Sequence, residues 1–274
     1  MTVINTNTKS LIAQQALTVN NRTLTKSMEQ LSTGKRINSA SDDAAGLSIS
    51  NKMTAQIRGL NQAVRNGNDA ISMIQTAEGA LNEVTNMLQR MRELAVQSAN
   101  GTNFTEDRNA LQAEFAELQL EIKRISDNTE WNGTAVTNAS AVYKFQVGAD
   151  ASQSIDVTFK DVEGMTGVST AVGTSSKIDN LSNATDAITA VDTALTTVDT
   201  YRGDLGAKIN RLTYAADNLT NVSTNMSASR SRILDTDYAK ATTELARSQI
   251  IQQAATAILA QANQQPQSVL SLLQ

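Results

Sequence analysis

Residues 57–99 read IRGLNQAVRNGNDAISMIQTAEGALNEVTNMLQRMRELAVQSA. Within them Leu60, Val64, Ile71, Ile74, Ala77, Leu81, Val84, Leu88, Met91 and Ala95 follow Ile57 in steps that mostly alternate three and four. That is the repeat of a helix with one apolar stripe. The step from Ile74 to Ala77 breaks the alternation, which predicts a local change of supercoil. Upstream, Ser39-Ala40-Ser41-Asp42-Asp43 offers cap oxygens followed by first-turn carboxylates, so the helix is expected to begin near Asp42. From there to residue 99 it would span on the order of 85 Å at 1.5 Å per residue, longer than a compact domain.

Other segments repeat this pattern on both sides. Leu17, Leu24 and Leu31 recur every seven residues, with Met28 between the last two, before Thr33-Gly34 interrupts. After the turn Asn100-Gly101-Thr102-Asn103, the positions Leu111, Phe115, Leu118, Ile122 and Ile125 predict a shorter helix folded back antiparallel. Asp127-Asn128 and the turn Trp131-Asn132-Gly133 close it. The period then switches to two at Tyr143, Phe145 and Val147, and again at Ile155, Val157 and Phe159, which predicts a β-hairpin. Glycines 164, 167 and 173 among many Ser and Thr suggest a surface connection to about Lys177. A second long seam runs from Ile188 through Val191, Leu195, Val198, Leu205, Ile209, Leu212, Leu219, Val222 and Met226 to Ile233. Ile251, Ala255, Ile258 and Ala262 continue a narrower stripe, and Pro266, the only proline, is expected to end the last helix. The fold class is therefore mainly α, a long antiparallel coiled-coil bundle with a small mid-chain hairpin and paired termini.

Composition narrows the function. No cysteine and no histidine are present, which removes thiol nucleophiles, imidazole bases and the usual zinc ligands. A net charge of −4 offers no attraction to phosphate backbones, so nucleic acid is not an expected partner. Residues 1–10 lack the basic start and apolar stretch of a cleaved secretory signal. Residues 248–274 contain no charge but eight glutamines, which would demand hydrogen bonds in lipid, so membrane insertion is not expected. Burying Val269, Leu270, Leu272 and Leu273 would contribute roughly 1.5–3 kcal/mol each. Such an end needs a partner, and thin helices without aromatics are expected to order only when subunits assemble.

These stretches resemble one family. Val3-Ile4-Asn5-Thr6-Asn7, Leu31-Ser32-Thr33-Gly34-Lys35-Arg36-Ile37-Asn38-Ser39-Ala40, Asp42-Asp43-Ala44-Ala45-Gly46-Leu47, Glu78-Gly79-Ala80-Leu81-Asn82-Glu83 and Leu88-Gln89-Arg90-Met91-Arg92-Glu93-Leu94-Ala95-Val96-Gln97-Ser98-Ala99-Asn100 are similar to the amino-terminal part of bacterial flagellins. Ser229-Arg230-Ser231-Arg232-Ile233, Asp237-Tyr238-Ala239, Ala260-Gln261-Ala262-Asn263 and Val269-Leu270-Ser271-Leu272-Leu273 match the carboxyl-terminal part. The resemblance implies a secreted, extracellular filament subunit that assembles with itself into a tube. Residues 1–43 and 236–274 would form the inner terminal-helix domain and residues 44–235 the next shell, with no sizeable outer insertion. It further implies export, unfolded and without a cleaved signal, through the flagellar type III apparatus with a secretion chaperone, and contacts with filament cap and hook-associated proteins.

By the same resemblance, Gln89, Arg90, Leu94, Gln97 and, on the facing short helix, Glu114 correspond to the surface that Toll-like receptor 5 reads. Val269, Leu270, Leu272 and Leu273 correspond to the end sensed by NAIP-type receptors and covered by the chaperone, although Gln274 stands where some relatives have a basic residue. Filament packing is the plainer role of both sets. Leu17, Leu24, Leu31, Ile251, Ala255 and Ile258 are the expected assembly positions. Asn21-Arg22-Thr23, Asn103-Phe104-Thr105, Asn132-Gly133-Thr134 and Asn183-Ala184-Thr185 fit glycosylation sequons, which chance explains in a chain this rich in Asn and Thr. Asp42 with Asp43, and Asp235 with Asp237, could suggest metal ligands, but capping explains them more simply. No cofactor and no metal are expected. A junction protein linking hook to filament shares this helical plan and is the alternative. An enzyme is the weakest reading, since a zinc protease insertion needs histidines.

Overall fold

A computed structural model describes residues 6–270 of the chain, with side chains to residue 264. The elements are α1 (Thr8–Thr33), α2 (Ala44–Ser98), α3 (Thr105–Asn128), β1 (Glu130–Trp131), β2 (Thr134–Ala135), β3 (Ala141–Gln146), β4 (Ser154–Phe159), α4 (Val168–Val172), α5 (Leu181–Leu234) and α6 (Tyr238–Leu270). The mainly α class, the long antiparallel helices and the small hairpin all stand as expected. Two compact units result, one from residues 1–55 with 224–274 and one from residues 56–223.

Helix ends follow the polar residues around them. Asp43 caps α2 by accepting the Gly46 N–H at 2.8 Å. At the other end of α2, Arg108 donates to the carbonyls of Ser98 and Asn100, and Asn103 donates to that of Gln97. These cover groups that a helix terminus leaves without partners. Asp107 accepts the Phe104 N–H at the start of α3, and Asp237 accepts those of Ala239 and Lys240 at the start of α6. Asp235 in turn accepts from the Ser231 hydroxyl. Pro266 does not end α6, which runs on to Leu270.

The core of the second unit is built on α2. Ala70, Met73, Ile74, Ala77, Leu81, Val84, Leu88, Met91, Leu94 and Ala95 are buried against Phe115 and Ile122 of α3, the hairpin, and α5. Arg92 meets Asp192, Asn82 meets Arg202, and Asn61 meets Ser223. In each pair the two residue numbers have the same total, so the α2–α5 register does not slip along this stretch. The core positions of α5 are Ala184, Ala187, Val191, Ala194, Val198, Tyr201, Leu205 and Leu212, whereas Ile188, Leu195 and Ile209 are half-buried and Val222 is exposed. Alanine thus takes several seam positions that larger residues were expected to hold. Antiparallel β3 and β4 pair from Ala141 with Phe159 to Gln146 with Ser154. Ile155, Val157 and Phe159 point inward, and Tyr143 meets Phe159 edge-on at 5.6 Å. Burial pushes the Tyr201 phenol above its ordinary pKa. Its oxygen accepts the Lys160 N–H at 3.0 Å.

The turn expected at Trp131-Asn132-Gly133 stands, with strands around it that were not expected, and the connection expected after β4 needs correction. The turn at Asn132-Gly133 is flanked by strands, β1 and β2, and both residues have positive φ (50° and 73°), the geometry that joins strands by two residues. The segment after β4 is not a surface connection. Val162, Met165, Val168 and Ala171 are all buried, at steps of three, and α4 forms among them. Buried Gln119 donates to the Ala171 and Ser176 carbonyls, Gln112 accepts the Ile178 N–H, and Ser98 donates to the Ile178 carbonyl. Gly167 lets the segment touch α5: its φ is 90°, and a Cβ there would lie 2.8 Å from the Ala194 nitrogen. Gly167→Ala is therefore expected to destabilise this unit by about 1–3 kcal/mol, read as a lower urea midpoint with an unchanged slope.

Candidate assembly surface

In the first unit α1 and α6 pair antiparallel along a seam of small and polar residues. From α1 come Ser10, Ala13, Asn20 and Ser27, and from α6 Ala241, Ser248 and Ala262, all buried. The spacings explain the pairing, because Ala13, Asn20 and Ser27 lie seven apart, as do Ala241, Ser248, Ala255 and Ala262. Buried Asn20 donates through Nδ2 to the Ser248 carbonyl at 2.8 Å, and Asn7 donates to the Ala262 carbonyl at 2.8 Å. Leu17, Leu24, Leu31 and Ala255 are half-buried at the margins.

The two linkers of this unit hold each other. Lys35 and Asp235 form an antiparallel bridge, the Arg36 N–H donates to the Leu234 carbonyl at 2.7 Å, and that of Thr236 to Gly34 at 3.0 Å. Gly34 occupies the left-handed region at φ 69°, closing α1. Asp42 organises the longer linker. It accepts the N–H groups of Asn38 and Ser39 and pairs with Lys26 at 2.9 Å. The Lys26 bond first, then the backbone N–H bonds, lower its pKa from 3.8 to about 2.

Larger apolar residues lie outside the seam. Leu11, Ile12, Val19 and Met28 of α1 and Ile250, Ile251 and Ile258 of α6 are exposed. Ile251 and Ile258, expected in the stripe with Ala255 and Ala262, thus separate from them: the alanines face α1 and the isoleucines face outward. On one flank Ile12, Ala16 and Val19 line a groove with Ile251, and Glu244 and Arg247 stand at its edge. Covering the seven exposed side chains at roughly 1.5–3 kcal/mol each would amount to on the order of 10 kcal/mol, comparable with the whole stability of a domain. The terminal leucine positions Val269, Leu270, Leu272 and Leu273 lie outside the residues whose side chains are described.

On the second unit, Gln89, Arg90 and Gln97 are exposed along α2, and Arg90 reaches Glu114 of α3 at 2.8 Å and Glu93 at 2.9 Å. These carboxylates raise the pKa of Arg90, Glu114 contributing most. Leu94 does not share that surface. It is 1% exposed and packs in the core beneath it. Sequence reasoning missed Asn20, Ser27 and Ser248, although their seven-residue spacing from Ala13 and Ala241 marks them. Among the described residues no three acidic side chains cluster as a metal site would need, and no helix is long and apolar enough to cross a membrane.

A paired-helix chain whose apolar surface exceeds what it covers itself defines a self-assembling structural subunit. The sequence models of the bacterial flagellin N-terminal and C-terminal helical regions match residues 4–141 and 188–273. A flagellin of Halalkalibacterium halodurans is 48% identical over 272 residues, covering 99% of both chains. Flagellin A of Vibrio cholerae is 38% identical over 375 aligned positions, again 99% of both, so this chain is a short form without a large central domain. The crystal structure of Bacillus cereus flagellin superposes with a TM-score of 0.51 at 32% identity, over 61% of this chain and 94% of that one. A hook-associated protein structure from Vibrio parahaemolyticus shares the fold (TM-score 0.60, 71% and 100% coverage) at 13% identity. The chain belongs to the bacterial flagellin family. It is a structural subunit of the flagellar filament.

Because its folded pKa lies below the ordinary value, Asp42 contributes stability that is present above about pH 4 and lost as pH falls through about 2. Asp42→Asn should therefore unfold at lower urea than the parent at pH 7, and the two midpoints should converge as pH falls from 4 to 2.

Proposed function

We propose that the α1–α6 pair is the part of the subunit that closes the filament core, with residues 1–43 and 236–274 as the inner domain and 44–235 as the shell around it. The carrying observation is the row of uncovered apolar side chains on α1 and α6, beside a seam too small and polar to form a core of its own. Neighbouring copies supply the missing cover. Export follows the flagellar type III route in an unfolded state. A secretion chaperone covers the leucines at 269–273 during export, and cap and hook-associated proteins meet the subunit at the filament ends. A chain whose terminal helices bury little within one copy loses little by travelling unfolded.

The same reading assigns two host receptors. Gln89, Arg90, Gln97 and Glu114 offer Toll-like receptor 5 an exposed polar strip, with Leu94 fixing α2 beneath it, and Val269, Leu270, Leu272 and Leu273 offer NAIP-type receptors an apolar end. The Arg90–Glu114 pair joins α2 to α3 and the Arg90–Glu93 pair lies within α2, both at a surface where such pairs contribute little stability. Their arrangement therefore suits recognition, where arginine is often a dominant contact.

Two experiments test these assignments. Seeded growth followed by electron microscopy should give tubes from the full chain and none from a chain truncated before Ser248, whereas tubes from the truncated chain would remove α6 from the assembly role. Arg90→Ala should lower Toll-like receptor 5 reporter activation by roughly tenfold, the 1–2 kcal/mol scale of an interface contact, with filament growth retained. An unchanged reporter response would remove Arg90 from the receptor surface.

A further inference from the structure

α6 is apolar on more sides than its own chain covers. Ala241, Ser248, Ala255 and Ala262 face α1 or its margin, and Ile251 and Ile258 flank them. Ile250 stands two residues from Ser248, roughly 200° round a helix of 3.6 residues per turn, and therefore on the back of α6. It is 67% exposed. Ala246 and Ala257, also exposed, share that back face and leave room for a second helix to approach closely. A helix that is apolar around most of its circumference is one that is surrounded.

We propose that the groove on one flank of the α1–α6 pair receives the back of α6 from a second copy of this chain, with Ile250 as the knob and Ala16 as the floor of the hole. The inference rests on the filament reading above and adds to it which two faces meet. Ile12 and Val19 are two turns apart on α1 with the small Ala16 between them, and Ile251 forms the wall across the groove. That is a socket for one branched side chain, as in knobs-into-holes packing. Residues 248–264 carry no charge, so this part of α6 brings no ion of its own into the groove. The groove lining includes Glu244 and Arg247, which pair with each other at 4.0 Å, and Arg247 also borders Ile250 on the inserting copy.

The two faces are different surfaces of one copy. Each copy therefore offers one groove and one knob, and the contact is heterologous, the kind that propagates into an open helical polymer. Groove against groove, or back against back, would be two-fold and would close as a dimer. Self-assembly of the family into filaments favours the first arrangement.

The absence of cysteine makes the test direct. Ala16→Cys and Ile250→Cys chains, each purified alone, are mixed, grown from seeds of the unaltered chain and oxidised. Cα atoms closer than about 7 Å are needed for a disulfide, so cross-linked oligomers are expected from the mixture and from neither variant alone. Filaments of the mixture without cross-links, or cross-links in Ile250→Cys alone, would overturn the pairing while leaving the filament reading intact. Failure of the unaltered chain to form filaments would instead overturn the filament reading itself. Independently, Ala16→Trp fills the hole and should slow seeded elongation at least tenfold, with Ala16→Ser near the parent rate. Parent-rate growth of Ala16→Trp would likewise overturn the proposal.

Discussion

The seam between α1 and α6 is built from alanine, serine and asparagine, and this limits how much order one copy can give its own terminal helices. Ser10, Asn20, Ser27 and Ser248 occupy positions where an independent coiled coil would carry leucine or isoleucine. Asn20 satisfies its donor on the Ser248 carbonyl, so the seam is paired and specific, but little apolar area is removed from water. Ordering these helices costs about 1–2 kcal/mol per residue in backbone entropy. The side chains able to offset that cost, among them Ile12, Val19, Ile250 and Ile258, point outward. On the assembly role proposed above, association of copies therefore draws on apolar surface that one copy leaves uncovered.

The second unit follows the opposite rule. Its core gathers side chains from α2, α3, α5 and the hairpin, and the large residues Phe115, Phe159 and Tyr201 are buried within one chain. Several polar groups that enter it are matched: Ser126 and Thr137 exchange hydroxyl-to-carbonyl bonds, and Gln119 spans the end of α4, whereas Ser176 Oγ and Arg202 Nε are buried without a hydrogen-bond partner. On its surface Arg90, Glu93 and Glu114 form exposed ion pairs whose placement is set from below by Leu88, Met91 and Leu94. Rigidity comes from the buried row, and the exposed ion pairs add little to it.

The two long helices, the short α3 and the β3–β4 hairpin were legible in the sequence because each keeps one period over many residues. Misread features were those in which small residues do the packing. Ala184, Ala187 and Ala194 replaced the expected Ile188 and Leu195 in the α5 core, since close approach of two helices favours small side chains at the contact. The segment from Val162 to Ala171 looked like a connection because its glycines, serines and threonines hid an apolar residue at every third position. Within the assembly surface, Leu17, Leu24 and Leu31 were visible by their spacing. Which of the α6 residues faced α1 was not, because α6 has apolar residues on most sides and its pattern alone selects no single face.

Residues 142–187 lie outside both regions that match the flagellin models, and longer relatives carry their additional length while still aligning at both ends. In this chain that interval is not a shortened tether. It contributes β4, Val162, Met165, α4 and Ile178, all of which bury side chains in the core. Gln112, Gln119 and Ser98 then fix its backbone from α3 and α2. In this short flagellin the crossing from hairpin to α5 is itself a part of the core. The close approach of Gly167 to Thr193 and Ala194 holds that crossing down on α5. The core of this unit is built within a single copy; exposed apolar side chains remain on it, Phe104, Leu120 and Tyr214 among them, but along the much shorter terminal helices they are more closely spaced.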